Sequence, residues 1–426
     1  MVSYKLPEAK GNNDILQLLL ILFIVSTIFS HVLFIPVLKY KFQLTEILFV
    51  ILSVYVIFHY KVIVKRGWLG LDFGFLFLSF VLIMNFFFHP SFKVGLEVAG
   101  SLYLVGVYFV ISTLFRFSGA KKTYEVLKIS SDLGFWILVV AGFGGLLLYV
   151  FTGYSRLVLQ YPGYPYFGDV FRIRGFNFSP NLYISLLCFF TCLKCAFSRL
   201  KTSHILLVAI LGVISLTKEA LILLAVLTAI LIYKRFKKKL PGYIIITIAG
   251  VMYLFLSFYV ISLKTKSFSF NANISEVYEH NPVYKNGDFA VYPTTYNHLF
   301  ISGFIMSKEH ILKGIGLGNF QEEIEKHKRR NLYPDYFASF VAHDSYTGIG
   351  AQLGIGYYIF LIILIFSIVK IVKKTPSSFK FAFVVLLLYM LFESMAIGSF
   401  HFRHYFVIFA VIAVLPVLAG EKTNNK

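Results

Sequence analysis

His343 begins the run His343-Asp344-Ser345-Tyr346-Thr347-Gly348-Ile349-Gly350-Ala351-Gln352-Leu353-Gly354-Ile355-Gly356, which closes a polar stretch and enters an apolar one. An imidazole titrates near neutral pH and can take a proton from a hydroxyl, with Asp344 beside it as a second acid or base. A titratable group at the mouth of a membrane helix is costly to place, which favours a functional reading. A second set is cationic. Arg172 and Arg174 stand two residues apart in Arg172-Ile173-Arg174-Gly175-Phe176-Asn177-Phe178-Ser179-Pro180-Asn181, and Lys218 lies in Thr217-Lys218-Glu219-Ala220. Guanidinium forks match phosphate oxygens in pairs, so three cations at one membrane face suit an anionic group such as a lipid-linked diphosphate. Snorkelling of the same side chains toward lipid headgroups is the alternative.

The elements that must position these residues are membrane helices. The chain has 426 residues, 58% hydrophobic and only 14% charged, where a soluble protein carries about 25% charged residues. Apolar runs of roughly 20 residues recur, each long enough to cross a hydrocarbon core about 30 Å thick. Twelve spans are expected, at 15–36, 43–64, 68–88, 94–115, 131–152, 180–198, 203–216, 219–233, 241–263, 345–371, 378–398 and 404–419, the seventh and eighth being short, abutting at Thr217-Lys218-Glu219, and open to a reading as one long helix. The fold class is therefore an all-α integral membrane protein with one large outer loop between helices 9 and 10. Residues 1–263 form a first membrane domain, 264–344 the outer loop with short amphipathic helices, and 345–426 a second membrane domain. Lys5 and Lys10 precede the first apolar run and no small-residue cleavage site follows, so this run reads as a membrane helix rather than a signal peptide.

Charge orients the spans. Most of the 40 lysines and arginines fall on the side of the N-terminus, including Lys61, Lys65, Arg66, the run Lys234 to Lys239, and Lys370, Lys373, Lys374 and Lys380. Both termini are then cytoplasmic, and the loop 264–344 lies outside. The net charge of +20 reads as topology and attraction to anionic lipid, not as nucleic-acid binding.

Several further features have plainer readings. Cys188, Cys192 and Cys195 share a helix face but lack a fourth ligand, and small-residue packing explains them better than a metal. In the outer loop, 298–312 is amphipathic, and Gly314-Ile315-Gly316-Leu317-Gly318-Asn319 reads as a tight turn. Asn319 with Glu322 has the spacing of a helix cap and its answering acid, predicting an exposed helix over about 320–331. Tyr161, Tyr164, Tyr166, Tyr284, Tyr292 and Tyr296 suit either sugar stacking or an interfacial aromatic belt. His401-Phe402-Arg403-His404 is a minor candidate at the outer end of the last two helices, and Glu393 is an acid well inside a late span.

These residues together resemble the superfamily of O-antigen ligases and Wzy-type polysaccharide polymerases, bacterial membrane glycosyltransferases acting on undecaprenyl-diphosphate-linked glycans. Arg172-x-x-Gly175 followed by Pro180-Asn181 looks like the family's Arg-x-x-Gly and Pro-Asn element, and Thr217-Lys218-Glu219-Ala220 is similar to its Ser-Arg-x-Ala element. Ile315 to Phe320 looks like its glycine turn, and His343 to Gly356 its histidine element. Three positions depart from the pattern: Lys218 for an arginine, Asp344 where Asn or Ser is common, and Gln352 for a glutamate.

The sequence has no Asp-x-Asp pair to hold a metal, so a metal-free, cofactor-free transfer is the simpler reading, and the resemblance implies that it inverts the anomeric configuration, in the inner (cytoplasmic) membrane. The partners would be the undecaprenyl-diphosphate-linked glycan donor, a glycan acceptor and the lipid bilayer, with no nucleic acid. Arg172, Arg174 and Lys218 would neutralise the leaving diphosphate, and His343, with Asp344, would act on the acceptor hydroxyl. Polymerisation of repeat units is the favoured expectation. The alternatives are an O-antigen ligase passing the finished glycan to another acceptor, and a transporter or flippase of lipid-linked sugars. A transporter would call for inverted repeats and charges at mid-membrane depth; a non-catalytic scaffold would leave the paired arginines and His343 unexplained.

Overall fold

A computed structural model describes residues 13–30, 34–37, 40–59, 70–164, 168–263, 266–268, 282–335 and 339–424. Lys5, Lys10, Lys61, Lys65, Arg66 and Tyr166 lie outside the described residues. The chain is dominated by helix, and each of the twelve apolar stretches contains some. In order these are α1 (Asn13–Ser26), α2 (Leu44–Phe58), α3 (Gly70–Phe88), α4 (Phe92–Thr152), α5 (Pro180–Phe197), α6 (Thr202–Ser215), α7 (Glu219–Phe236) and α8 (Leu240–Phe258). After them come α9 (Thr295–Glu309), α10 (Phe320–Arg329), α11 (Thr347–Leu353), α12 (Ile355–Lys374), α13 (Ser377–Ala396), a 3-10 turn at Ser399–His401, and α14 (Arg403–Asn424).

Among the described residues six helices are long and apolar enough to cross a bilayer: α3, α4, α5, α8, α12 and Phe379–Ala396 of α13. Asp14–Ser26, Leu44–Phe58, Thr202–Ser215 and Arg403–Leu418 are shorter apolar helices. α5 lies at the centre, with 89% of its span buried, whereas α12 lies at the edge with 17%.

Three helical stretches reverse or break, each for a local reason. α4 runs unbroken through 61 residues except at Gly119, whose φ of 79° departs from the helix. Thr123 Oγ1 donates to Phe115 O at 2.8 Å across eight positions, which a straight helix would hold about 12 Å apart. The chain therefore folds back there. α6 and α7 form a second hairpin. Leu216 takes a left-handed φ of 47°, a Cβ built on Gly212 would meet Leu223 at 3.4 Å, and Lys234 Nζ donates to Leu200 O at the far end. The tip of this hairpin is Thr217-Lys218. The third break corrects the expected span 345–371, which is two helices. Gly354 (φ 69°) separates α11 from α12, and Ile355 N donates to Ile311 O at 2.5 Å. All seven residues of α11 are buried, so it sits inside the protein.

Short strands, not foreseen in the all-α reading, hold the loops. β1 (Phe34–Val37) pairs antiparallel with β2 (Tyr40–Gln43), and β3 (Val158–Tyr164) with β4 (Gly168–Ile173). A four-stranded antiparallel sheet follows α8, in the order β6 (Lys266–Phe268), β5 (Tyr259–Leu263), β8 (Phe289–Pro293), β7 (Tyr284–Asn286). β8 leads through Thr294, whose hydroxyl caps α9 by accepting from Asn297 N. The sheet thus fixes where α9 starts.

α10 spans Phe320–Arg329, close to the expected helix, but the expected cap is absent. Asn319 makes no side-chain cap bond; its Nδ2 donates to Ile315 O at 3.0 Å, while Glu322 pairs with Lys93 at 2.7 Å. The turn's own backbone recruits the Asn319 amide, and a tertiary cation takes the acid.

Candidate functional site: a cation and histidine cluster

The Arg172 to Asn181 segment closes on itself. In the β3–β4 hairpin Arg172 stands opposite Leu159. Its Nη2 donates to Asn181 Oδ1 at 3.2 Å and its Nε to Ser215 O at 3.4 Å, at the tip of the α6–α7 hairpin. Gly175 (φ 53°) makes the intervening turn, where a Cβ would meet the Tyr183 ring at 2.9 Å. Ser179 caps α5 by accepting from Leu182 N, with Pro180 in the first turn. The arginine and the asparagine at the two ends of the motif are hydrogen-bond partners, which explains their spacing.

Lys218 comes next. Its Nζ sits 4.4 Å from the centre of the Tyr296 ring, a cation held by the negative face of an aromatic. Burial lowers its pKa to about 8; Glu219 opposes the shift and Arg172 adds to it. Arg172 and Lys218 are thus close enough to repel. Glu219 turns inward, where Tyr253 donates to its Oε1 at 3.3 Å.

Tyr296, in the first turn of α9, also packs on His343, with ring centres 4.9 Å apart and tilted by 48°. Phe340 flanks the imidazole at 5.8 Å. Burial, and then the charge of Lys218, lowers the His343 pKa to about 4. The imidazole is therefore neutral at physiological pH and has a lone pair to offer.

The five sequence candidates diverge at this point. Arg172, Lys218 and His343 form one cluster with Tyr296. Arg174 runs along the hairpin instead, with its Nε donating to Arg156 O at 2.9 Å. Asp344 is buried and occupied as a cap. It accepts from Tyr346 N at 2.9 Å, Thr347 N at 2.5 Å, Gly348 N at 3.1 Å and Thr347 Oγ1 at 2.9 Å. Burial pushes its pKa up while these donors pull it back. The carboxylate therefore anchors α11 and thereby the loop that carries His343.

Gln352 has a similar anchoring place. Its Oε1 accepts from Gly318 N at 2.6 Å and its Nε2 donates to Gly348 O at 2.9 Å. An amide can do both, whereas an ionised carboxylate can only accept, so a glutamine rather than an ionised glutamate fits here. Asn85 on α3 supports the same turn, accepting from Leu317 N at 2.9 Å and donating to Gln352 O at 2.9 Å. Gly314, Gly316 and Gly318 all take left-handed φ. A Cβ on Gly314 would lie 2.2 Å from Gln352 O.

Glu393 and the His401 to His404 run are separate in the sequence, and the fold joins some of these residues. Glu393 accepts from Ser185 Oγ at 2.8 Å, Tyr389 OH at 3.3 Å and Tyr405 OH, and His404 Nε2 lies 2.9 Å from Ser185 Oγ. Arg403 instead pairs with Glu46. The partners come from α5, α13 and α14, so no local motif announces them. The three cysteines are free on α5. Neither a protein-family model nor a curated protein matches the chain.

Proposed function

We propose that the protein is a membrane glycosyltransferase that joins lipid-diphosphate-linked oligosaccharides, in the manner of the polysaccharide polymerases its motifs resemble. The observation that carries the reading is the convergence of Arg172, Lys218 and the neutral His343 from three distant segments. Two cations suit a leaving diphosphate, and a neutral imidazole beside them suits an acceptor hydroxyl. The twelve apolar stretches are proposed as twelve spans, with both termini cytoplasmic and the site at the outer face of the inner membrane.

In this mechanism the acceptor oxygen attacks the anomeric carbon of the donor. The bond from that carbon to the phosphate oxygen breaks, and its electron pair leaves with the diphosphate. The attacking hydroxyl gives its proton to His343, and the anomeric configuration inverts. Arg172 and Lys218 stabilise the charge that grows on the leaving oxygen. Asp344 keeps the His343 loop in place, and Arg174 shapes the hairpin that presents Arg172. No metal takes part in the proposed reaction.

The test is the purified protein in nanodiscs with a lipid-diphosphate-linked oligosaccharide, assayed with and without chelator. Chain growth that survives chelation supports the reading; no transfer of any glycan overturns it. The glycan profile of a deletion strain then separates the two joining reactions. Single repeat units mean a lost polymerase, and long chains stranded on carrier lipid mean a lost ligase.

A further inference from the structure

α12 and α13 are neighbours in sequence, joined at Thr375-Pro376, yet they do not pack on each other along their length. α12 packs against α3 and α14, whereas α13 packs against α5, α7 and α8. Between them lies a groove of about 520 Å³ with almost wholly apolar walls, among them Leu364 and Ile368 from α12 and Val384 and Leu387 from α13. Phe75 and Phe406 from α3 and α14 floor it. The groove follows α12 from Tyr357 to Lys373, about 24 Å at the helical rise.

The two ends differ. At one end Ser345, Ser394 and Ser399 bond to each other (Ser345 Oγ to Ser399 Oγ 3.1 Å, Ser394 Oγ to Ser399 Oγ 2.6 Å), and Tyr346 OH donates to Leu391 O at 3.3 Å. These hydroxyls satisfy one another, and no cation lines that end. At the other end Lys373 lines the groove. Lys370 and Lys374 flank it in sequence, and Lys380 Nζ reaches Lys373 O at 3.3 Å. Among the described residues none of these four lysines has a carboxylate partner.

We propose that this groove binds one acyl chain of an anionic phospholipid, with its phosphate held by the lysines around Lys373. The charge decides the orientation: an anionic headgroup belongs at the lysine end and the chain in the apolar cleft. Basic pockets between membrane helices hold anionic headgroups in this way. The length agrees, because a chain of one leaflet spans about half of a core about 30 Å thick, well within the groove. The bound lipid would fill the cleft between α12 and α13 and reach toward Ser345, Ser394 and Ser399, beside the His343 loop. This site stands independently of the glycan-transfer reading.

The test uses the full-length protein in nanodiscs of phosphatidylglycerol or phosphatidylcholine, with retained lipids counted by native mass spectrometry. Wild type should retain phosphatidylglycerol at least about tenfold better than phosphatidylcholine. Lys370→Glu combined with Lys373→Glu should erase that preference. Ile365→Trp should displace the lipid of either kind; Ile365 lines the groove but is 58% exposed, so the fold tolerates the larger ring. Leu387→Trp checks the opposite wall. Equal retention of the two lipids by wild type, or unchanged retention in both tryptophan variants, would overturn the proposal.

Discussion

The ammonium of Lys218 lies over the ring of Tyr296, 4.4 Å from its centre, and the same ring packs against the His343 imidazole with ring centres 4.9 Å apart. One aromatic residue thus contacts both a cation and a neutral imidazole. The proposed reaction uses the charge of Lys218 to bind an anion and the lone pair of His343 to accept a proton.

The pH dependence follows. In the proposed reaction His343 must be neutral, and its pKa is lowered to about 4, so activity should fall only as pH drops through about 4. Lys218 must be charged, and its pKa is lowered to about 8, so donor capture weakens as pH rises through about 8. The profile of kcat/KM should be flat between these limbs, which belong to the free enzyme. Lys218→Arg should remove the alkaline limb, because a guanidinium does not titrate in this range. An alkaline limb unchanged in that variant would exclude Lys218 as its source.

His343→Ala should slow glycan transfer by about 10²–10⁴-fold, the usual contribution of a positioned base. Donor binding should stay near the wild-type level, because the cations are untouched. Turnover and lipid-linked donor affinity measured on the same preparation separate the two; normal turnover would place the base elsewhere.

The two arginines should behave differently. Arg172→Ala should raise KM for the donor and cut turnover by roughly 10²-fold or more, as loss of an oxyanion-stabilising donor does elsewhere. Arg172→Lys should rescue only in part, since the fork that reaches Asn181 and the Ser215 carbonyl is lost. Arg174→Ala should cost far less, because its hydrogen bond is to a carbonyl of its own hairpin. Equal losses at both positions would contradict this division.

Asp344→Ala should destabilise the fold more than it alters the chemistry. It strips an acceptor from three backbone N–H groups at the start of α11, a cost of about 1–3 kcal/mol. Asp344→Asn keeps an acceptor and should lose about half as much. Thermal unfolding in detergent reads the difference. A stable Asp344→Ala protein with no turnover would instead assign the carboxylate to the reaction itself.

Gly314→Ala should disrupt the turn, since φ is 70° and its Cβ would lie 2.2 Å from Gln352 O. Gln352→Glu should also destabilise by about 1–3 kcal/mol, because a carboxylate cannot donate to Gly348 O. Limited proteolysis of the 310–320 segment is the readout, and protection equal to wild type in both variants would argue against Gln352 as the anchor of this turn.

The sequence by itself determined that this chain belongs in a bilayer, where helices would form, and which residue types could do chemistry. Those properties are local: hydropathy runs, charge placement and glycine spacing depend on neighbours in the chain. It also placed α10 closely, because charge order along one helix is a local signal. Tertiary structure decided the rest. It bent α4 at Gly119, folded α6 back on α7 and buried α11, because these depend on what packs against each turn. It took Asp344 and Gln352 as anchors, since hydrogen-bond partners are set by the fold and not by side-chain type. It also brought Tyr296 against both Lys218 and His343, residues far apart in sequence, and set both pKa values through burial and proximity that no spacing along the chain records.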